Sequence, residues 1–104
     1  MATFEADGKS YEIAYTMKRI EMYENSGHKP VMASFSQNGG TFSISELKAL
    51  AAYGLKAEGG AYVNPKKGQD MAEGLIEANG YFDVYGAVTE ALERDCGFFF
   101  KVSE

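Results

Sequence analysis

Few side chains in this sequence could carry out nucleophilic or metal chemistry. His28 is the single histidine and Cys96 the single cysteine of the 104 residues. A catalytic pair needs its base held beside the nucleophile, and nothing in the sequence brings these two together. A zinc site needs three or four nitrogen or sulfur ligands, more than this pair offers. We therefore expect neither, and we interpret Cys96 as a small, half-buried residue at a helix end.

Carboxylates are the most numerous groups that could do acid–base chemistry. Several are three positions apart, which places them on one helix face: Glu21 and Glu24, Asp70 and Glu73, Glu90 and Glu93, with Asp95 nearby. Paired carboxylates act as acid and base only in a desolvated cleft. Each pair shares its segment with an apolar stripe on the opposite face, so a solvated surface is their expected role. The spaced carboxylates of a calcium-binding loop are missing.

Phosphate-binding motifs are equally absent from the sequence. Lys66-Lys67 lies in PKKGQ, which lacks the spacing of a phosphate-binding loop. The pairs Gly39-Gly40 and Gly59-Gly60 indicate turns rather than a nucleotide fingerprint. We therefore expect no enzymatic activity and no cofactor.

The composition of the chain also limits the classes of partner that we expect it to bind. The net charge is −5, which argues against binding to nucleic acid or to an anionic membrane surface. No apolar run approaches the roughly 20 residues of a membrane span, and the first residues lack a signal-peptide pattern. One cysteine fits a reducing compartment, so we expect a cytoplasmic protein.

The N-terminal residues predict a β-hairpin. Phe4 and Ala6 alternate with polar residues before a turn at Gly8, and Tyr11 and Ile13 continue the alternation beyond it. Thr16 is placed to cap a helix over 17–25, with Met17 and Ile20 toward the core. Gly27 and Pro30 end this helix, and a short helix follows over 31–35.

Three further helices are expected. Ser43 and Glu46 have the spacing of a capping box, and the helix that they begin continues through Leu55 to Glu58-Gly59-Gly60. After a linker over 61–65, an apolar stripe indicates a helix that stops at Asn79-Gly80. The last begins at Tyr81 or Asp83 and ends over 94–97. The stripes consist of Leu47, Leu50 and Ala51, then Met71, Leu75 and Ile76, then Val84, Ala87, Val88, Ala91 and Leu92.

These elements predict an α+β fold, mainly α, with an N-terminal β-hairpin followed by four or five short packed helices. We expect a single domain over 1–104, with 98–104 as a candidate flexible C-terminal tail. Gly54, Gly74 and Gly86 fall inside predicted helices, where glycine is unfavourable. We interpret them as sites of close helix packing, the alternative being helices that rearrange on binding.

Several blocks of the sequence resemble one protein family. The opening FEADGKSYEIAYTMKRIEMYE is similar to the start of tail assembly chaperones of long-tailed phages and prophages of Gram-positive bacteria. The blocks AYGLKAEGG, NPKKGQDMAEGLIEANGY and VTEALERDCGFFFKV extend the resemblance over nearly the full length. It implies a non-catalytic protein that coats the tape measure protein in the host cytoplasm until tail tube subunits polymerise, and that is absent from the mature virion.

The resemblance also implies that a ribosomal frameshift near the end of the frame makes a longer form that recruits tail tube subunits. Codons for the Phe-Phe-Lys run could contain the slippery sequence. At the protein level, Phe98, Phe99 and Phe100 either bury against another copy or an apolar partner, or close the domain's own core. The predicted partner-binding residues are Phe98, Phe99 and Phe100, with Met17, Met22, Met32 and Met71 as adaptable apolar positions.

A second function is compatible with the sequence. A structural virion protein, such as a head–tail connector or a minor tail component, would stay in the particle and form a symmetric ring. Tube proteins are usually rich in strands, whereas only one hairpin is predicted here. Self-association is expected under both hypotheses.

Overall fold

A computed structural model describes residues 3–6, 8–27, 30–32 and 42–97. Within them the fold is α+β and mainly α, which confirms the predicted class. The elements in chain order are β1 (Thr3–Ala6), β2 (Lys9–Ile13), α1 (Met17–Asn25), α2 (Ile44–Gly54), β3 (Leu55–Ala57), α3 (Pro65–Asn79) and α4 (Tyr81–Asp95). Val31 and Met32 are also helical, and the remainder of the helix predicted over 31–35 falls outside the described residues.

The predicted hairpin is present and supplies two strands of a three-stranded antiparallel sheet. β1 pairs with β2 so that Phe4 lies opposite Tyr11, and Gly8 in the turn has a φ of 75°. That left-handed conformation favours glycine. Tyr11 and Ile13 are buried, and Phe4 packs against the same core from a half-buried position. The alternation along the sequence therefore identifies the face of the hairpin that meets the helices.

The third strand corrects the sequence analysis. We expected the helix that begins at Ser43 to continue through Leu55, but α2 ends at Gly54 and Leu55–Ala57 pairs with β2. Leu55 is opposite Ile13 and fully buried. Pairing with β2 provides hydrogen-bond partners for the backbone of this segment and keeps Leu55 in the core. Tertiary contacts therefore override the helical spacing of the sequence. We expected residues 61–65 to be a linker, but Tyr62 within them forms an isolated β-bridge with Lys56.

The predicted helix starts are confirmed by their capping bonds. The Thr16 hydroxyl accepts a hydrogen bond from the Arg19 amide at 3.2 Å. Ser43 and Glu46 form both bonds of the capping box. Because the first amides of a helix lack intrahelical partners, such caps fix where each helix begins.

The core lies around α2, which packs against the other three described helices. The apolar stripe of α4 is buried as predicted.

The interpretation of the helical glycines as sites of close packing is confirmed only in part. A Cβ at Gly54 would lie 2.6 Å from the Tyr15 ring, but a Cβ at Gly74 or Gly86 would meet nothing within 4 Å. Close packing is therefore wrong for those two positions, while Gly68, which we had not singled out, packs on the backbone of α2.

The end of α4 is hydrogen-bonded to the end of β2 and to the residues that follow it. The Asp95 carboxylate accepts a hydrogen bond from the Tyr15 amide at 3.0 Å, and Arg94 donates to the Ile13 carbonyl at 3.0 Å. Arg94 also pairs with Asp95 at 2.6 Å. The hydrogen bond from Arg94 is the main reason that the pKa of Asp95 is lowered, and the bond from the Tyr15 amide acts in the same direction.

We expect Asp95→Ala to lower the free energy of unfolding by about 1–3 kcal/mol near neutral pH, because the Tyr15 amide loses a charged acceptor. Since the folded pKa of Asp95 is below the unfolded value, its contribution is present above the unfolded pKa and is lost as the pH falls through the folded pKa. The difference between wild type and variant, measured by urea unfolding, should therefore shrink in acid. Asp70→Asn, at an exposed position of α3, is the control. A difference independent of pH would contradict this assignment.

Candidate functional site

In the described part of the chain an apolar groove lies between β1 and α3, with a volume of about 540 Å³. Its volume lies within the range of about 300–1,000 Å³ that is usual for ligand sites. The groove is bounded by β1, by the second half of α3, and by one residue from each of the other two strands. The lining residues are Thr3, Phe4, Glu5, Ala6, Tyr11, Leu55, Met71, Gly74, Leu75, Ala78 and Asn79.

One wall of the groove is a single face of α3. Met71, Gly74, Leu75 and Ala78 are spaced by three and four positions, so they lie on the same side of the helix. Met71 and Leu75 are half-buried and pack against the core. Gly74 and Ala78 carry almost no side chain, and a Cβ at Gly74 would meet nothing within 4 Å. The small residues therefore leave open the space that larger ones would fill.

The opposite wall is the edge strand of the described sheet. The strand order is β1-β2-β3, so β1 has β2 on one side only. Phe4 and Ala6 are half-buried, whereas Thr3 and Glu5 are exposed. An edge strand presents backbone donors and acceptors that an added strand can pair with. The groove thus combines apolar side chains with available backbone hydrogen-bonding groups.

The structure brings one predicted partner-binding residue into this groove. Met71 lines it. Met17 is 56% exposed, so its predicted core position is wrong, and Met32 is 36% exposed. Met22 is half-buried and lies against the Arg19 guanidinium. Of these four methionines, Met71 alone is a groove residue. The predicted residues Phe98, Phe99 and Phe100 fall outside the described residues.

The sequence analysis missed most of the groove. Phe4, Leu55 and Ala78 line it without having been proposed as site residues. Gly74 was noticed as an unfavourable residue inside a helix, which was the available signal. Its place beside β1 depends on how the sheet packs on α3, and that relation has no counterpart in local sequence.

The thiol and two of the carboxylates that the sequence analysis considered for chemistry are engaged in burial or contacts within the fold. Cys96 is fully buried rather than half-buried, and burial raises the pKa of its thiol to about 11. A thiol with so high a pKa is a poor nucleophile near neutral pH. The Glu73 carboxylate pairs with Lys48 at 3.2 Å, and Glu24 accepts a hydrogen bond from the Val31 amide at 2.9 Å. These carboxylates connect elements of the fold.

Metal ligands are not gathered in the described ranges, where no group of three or more His, Cys, Asp or Glu side chains could hold an ion. His28, the single histidine, falls outside the described residues. The predictions that the protein has no metal and no catalytic residues therefore remain predictions.

A second apolar surface lies at the start of α4. Phe82 is 77% exposed and contacts Tyr81 edge-on, with ring centroids 5.2 Å apart. Tyr81 stacks on Tyr85, and its hydroxyl donates to the Phe42 carbonyl at 2.7 Å. This aromatic cluster joins Phe42, two residues before the first residue of α2, to α4. Phe82 is the one largely exposed ring of this cluster, whereas several apolar side chains line the groove, so we place the candidate site in the groove.

No protein-family model, curated protein or solved structure matches this chain. Among the helices that the structure describes, none has the length and apolar character required to cross a membrane. The inference of function therefore depends on the groove and on the resemblance described in the sequence analysis.

Proposed function

We propose that this chain is a non-catalytic tail assembly chaperone of a phage or prophage. In this proposal it binds the tape measure protein in the host cytoplasm during tail morphogenesis. The observation that supports the proposal best is the apolar groove between β1 and α3. Its occupant would be apolar side chains of the tape measure protein, a long and largely helical client according to the resemblance.

The lining suits a client with many similar but non-identical segments. Met71 has a flexible side chain that adapts to differently shaped partners. Phe4, Tyr11 and Leu75 supply apolar area. Burying one large apolar side chain contributes about 1.5–3 kcal/mol before the cost of association is subtracted. Contacts limited to a few side chains would be individually weak, which fits a coat that tail tube subunits must later displace.

Charge supports the same proposal. The chain carries a net charge of −5, so copies repel one another away from their contact sites. A chaperone bound to an aggregation-prone client would give the complex this acidic surface. Solubility of the complex is the property that the proposed role requires.

The test is co-expression with the protein encoded immediately downstream, followed by pull-down and a solubility assay. We expect the wild-type chain to keep that protein soluble. Gly74→Phe places a ring in the groove and should weaken binding at least tenfold, equivalent to about 1.4 kcal/mol.

Gly86→Phe is the matched control. Gly86 is also an exposed helical glycine with open space at its Cβ, but it is not among the groove residues. This variant should bind as the wild type does. Equal binding by both variants would contradict a role for the groove. Finding this chain at stoichiometric amounts in purified particles would instead favour a structural virion protein.

A further inference from the structure

The hydrogen bonds of β2 show which backbone groups of β1 face away from the sheet. The Ser10 carbonyl accepts a bond from the amide of Glu58, the residue that follows β3, at 3.0 Å. Ser10 is therefore not hydrogen-bonded to Glu5, the β1 residue opposite it, because opposite residues in an antiparallel pair exchange both bonds or neither. The N–H and C=O of Glu5 then point to the outer edge of β1. The pattern repeats every second residue, so those of Thr3 do the same.

This outer edge of β1 opens onto the groove. All four residues of β1 line the groove, although side chains alternate between the two faces of a strand. A groove that touched one face alone would be lined by every second residue. Within the described ranges, no residue is hydrogen-bonded to the backbone of Thr3 or Glu5. The amides and carbonyls of these two residues are thus available to a ligand.

The α3 wall has room for the side chains of a strand added at this edge. Phe4 and Ala6 are half-buried and pack against the core, so their face of the sheet is turned toward the helices. Residues of an added strand opposite Phe4 and Ala6 would share that face. There Gly74 and Ala78 leave space for apolar side chains.

The other face of β1 carries a negative charge. Glu5 is exposed and is the only charged residue among the described residues that line the groove. The ion pairs of the described part of the chain do not include it. A lysine or arginine opposite Glu5 would form a favourable cross-strand pair, whereas an acidic residue would be repelled. The edge therefore favours a segment in which apolar residues alternate with a basic one.

A second copy of this chain fits the edge less well than a single extended segment. Its β1 would bring β2 along on the far side, where α3 forms the opposite wall of the groove. A single strand between β1 and α3 needs no such room.

We propose that β1 binds an extended segment of a partner as an added antiparallel strand, with apolar side chains on α3 and a basic side chain opposite Glu5. In naming the client as the source of the segment, this inference rests on the proposed function. The client would offer stretches that are extended while they are bound. Main-chain hydrogen bonds provide affinity whatever the side chains are, so many segments could occupy one site.

Peptide titration of the full chain tests the proposal. The probe is acetyl-TVKVT-amide, whose lysine pairs with Glu5 while its valines face α3. We expect the NMR amide signals of β1 and of the second half of α3 to shift, and hydrogen exchange at the Thr3 and Glu5 amides to slow several-fold. The Phe4 and Ala6 amides, which already face β2, should change little. Absence of shifts at millimolar peptide, or shifts without this protection, would overturn the proposal.

Two methylated peptides separate backbone pairing from apolar contact. A methyl group on the lysine amide nitrogen removes a bond directed at Glu5 and should abolish binding. A methyl group on the nitrogen of the next valine, which points away from β1, should leave the affinity nearly unchanged. Equal effects of the two methyl groups would rule out strand pairing.

A charge exchange tests the basic position. Glu5→Lys should bind acetyl-TVKVT-amide several-fold more weakly than the wild type does, and acetyl-TVEVT-amide several-fold more tightly. An unchanged preference would contradict the pairing opposite Glu5.

Hydrogen exchange of the protein without peptide supplies the remaining outcomes. Protection of the Thr3 and Glu5 amides would show an edge that is already paired, by a second copy if it grows with protein concentration and within the chain if it does not, and either result would overturn the proposal. No client is present here, so failure would leave client binding through apolar contacts standing. Failure of the pull-down with peptide binding intact would remove the client and keep the added strand.

Discussion

Gly68→Leu is expected to lower the free energy of unfolding by about 3 kcal/mol or more, at or beyond the upper end for overpacked sites. Gly68 is buried in α3 where this helix crosses α2. A Cβ there would lie 2.8 Å from the Ala52 carbonyl oxygen and 3.3 Å from its Cα. Both atoms belong to the backbone of α2, so no side-chain rotation can relieve the overlap. The two helices would have to separate, which would loosen the centre of the core.

The control for this variant is Gly86→Leu. Gly86 is helical, exposed and without neighbours at its Cβ, so the higher helix propensity of leucine should raise stability by up to about 1 kcal/mol. Gly68→Ala is a milder variant should Gly68→Leu fail to fold, and it should still be destabilised despite its better propensity. Urea unfolding followed by circular dichroism measures all three. A Gly68→Ala protein more stable than wild type would show that α3 does not approach α2 this closely.

Tyr15→Ala is expected to lower the free energy of unfolding by about 3–5 kcal/mol, the usual cost of removing a buried aromatic side chain. Tyr15 is buried and connects three parts of the fold. Its hydroxyl donates to the Leu50 carbonyl at 2.7 Å, and its ring lies on Gly54. Its amide donates to Asp95. Removing the side chain leaves a cavity between β2 and α2 that the glycine cannot fill.

Tyr15→Phe separates the ring from the hydroxyl. This variant keeps the packing on Gly54 and loses only the bond to Leu50, so we expect a loss of about 0.5–1.5 kcal/mol. Thermal unfolding of the two variants should place Tyr15→Phe much closer to wild type than Tyr15→Ala. Similar losses in both would indicate that the hydroxyl bond, and not the ring, carries the stabilisation.

The sequence predicted those parts of the fold whose signals are local. The capping box at Ser43 and Glu46, the threonine cap at Thr16 and the glycine turn at Gly8 each depend on residues within three positions of one another. Such contacts form in the same way wherever the element is placed. The starts of α1 and α2 and the hairpin turn were therefore predictable.

The remaining features depend on contacts between distant residues. Leu55 fits helical spacing after Ala51, yet it belongs to β3 because Ile13 is available to pair with it. The groove requires β1 and α3 to face each other across a gap, and Gly74 gave only a weak indication of that gap. Met71 was identified for its flexibility rather than its location. Local patterns cannot specify such relations.

The pairing of Ile13 with Leu55 also has a consequence for synthesis on the ribosome. The two residues are 55 − 13 = 42 positions apart. At about 5–20 residues per second, β2 emerges roughly 2–8 seconds before the strand that completes its sheet. An isolated hairpin is marginally stable in water, so the nascent hairpin waits with Tyr11 and Ile13 uncovered until α2 has been made. Folding of this chain is therefore expected late in translation, when most of the domain has left the exit tunnel.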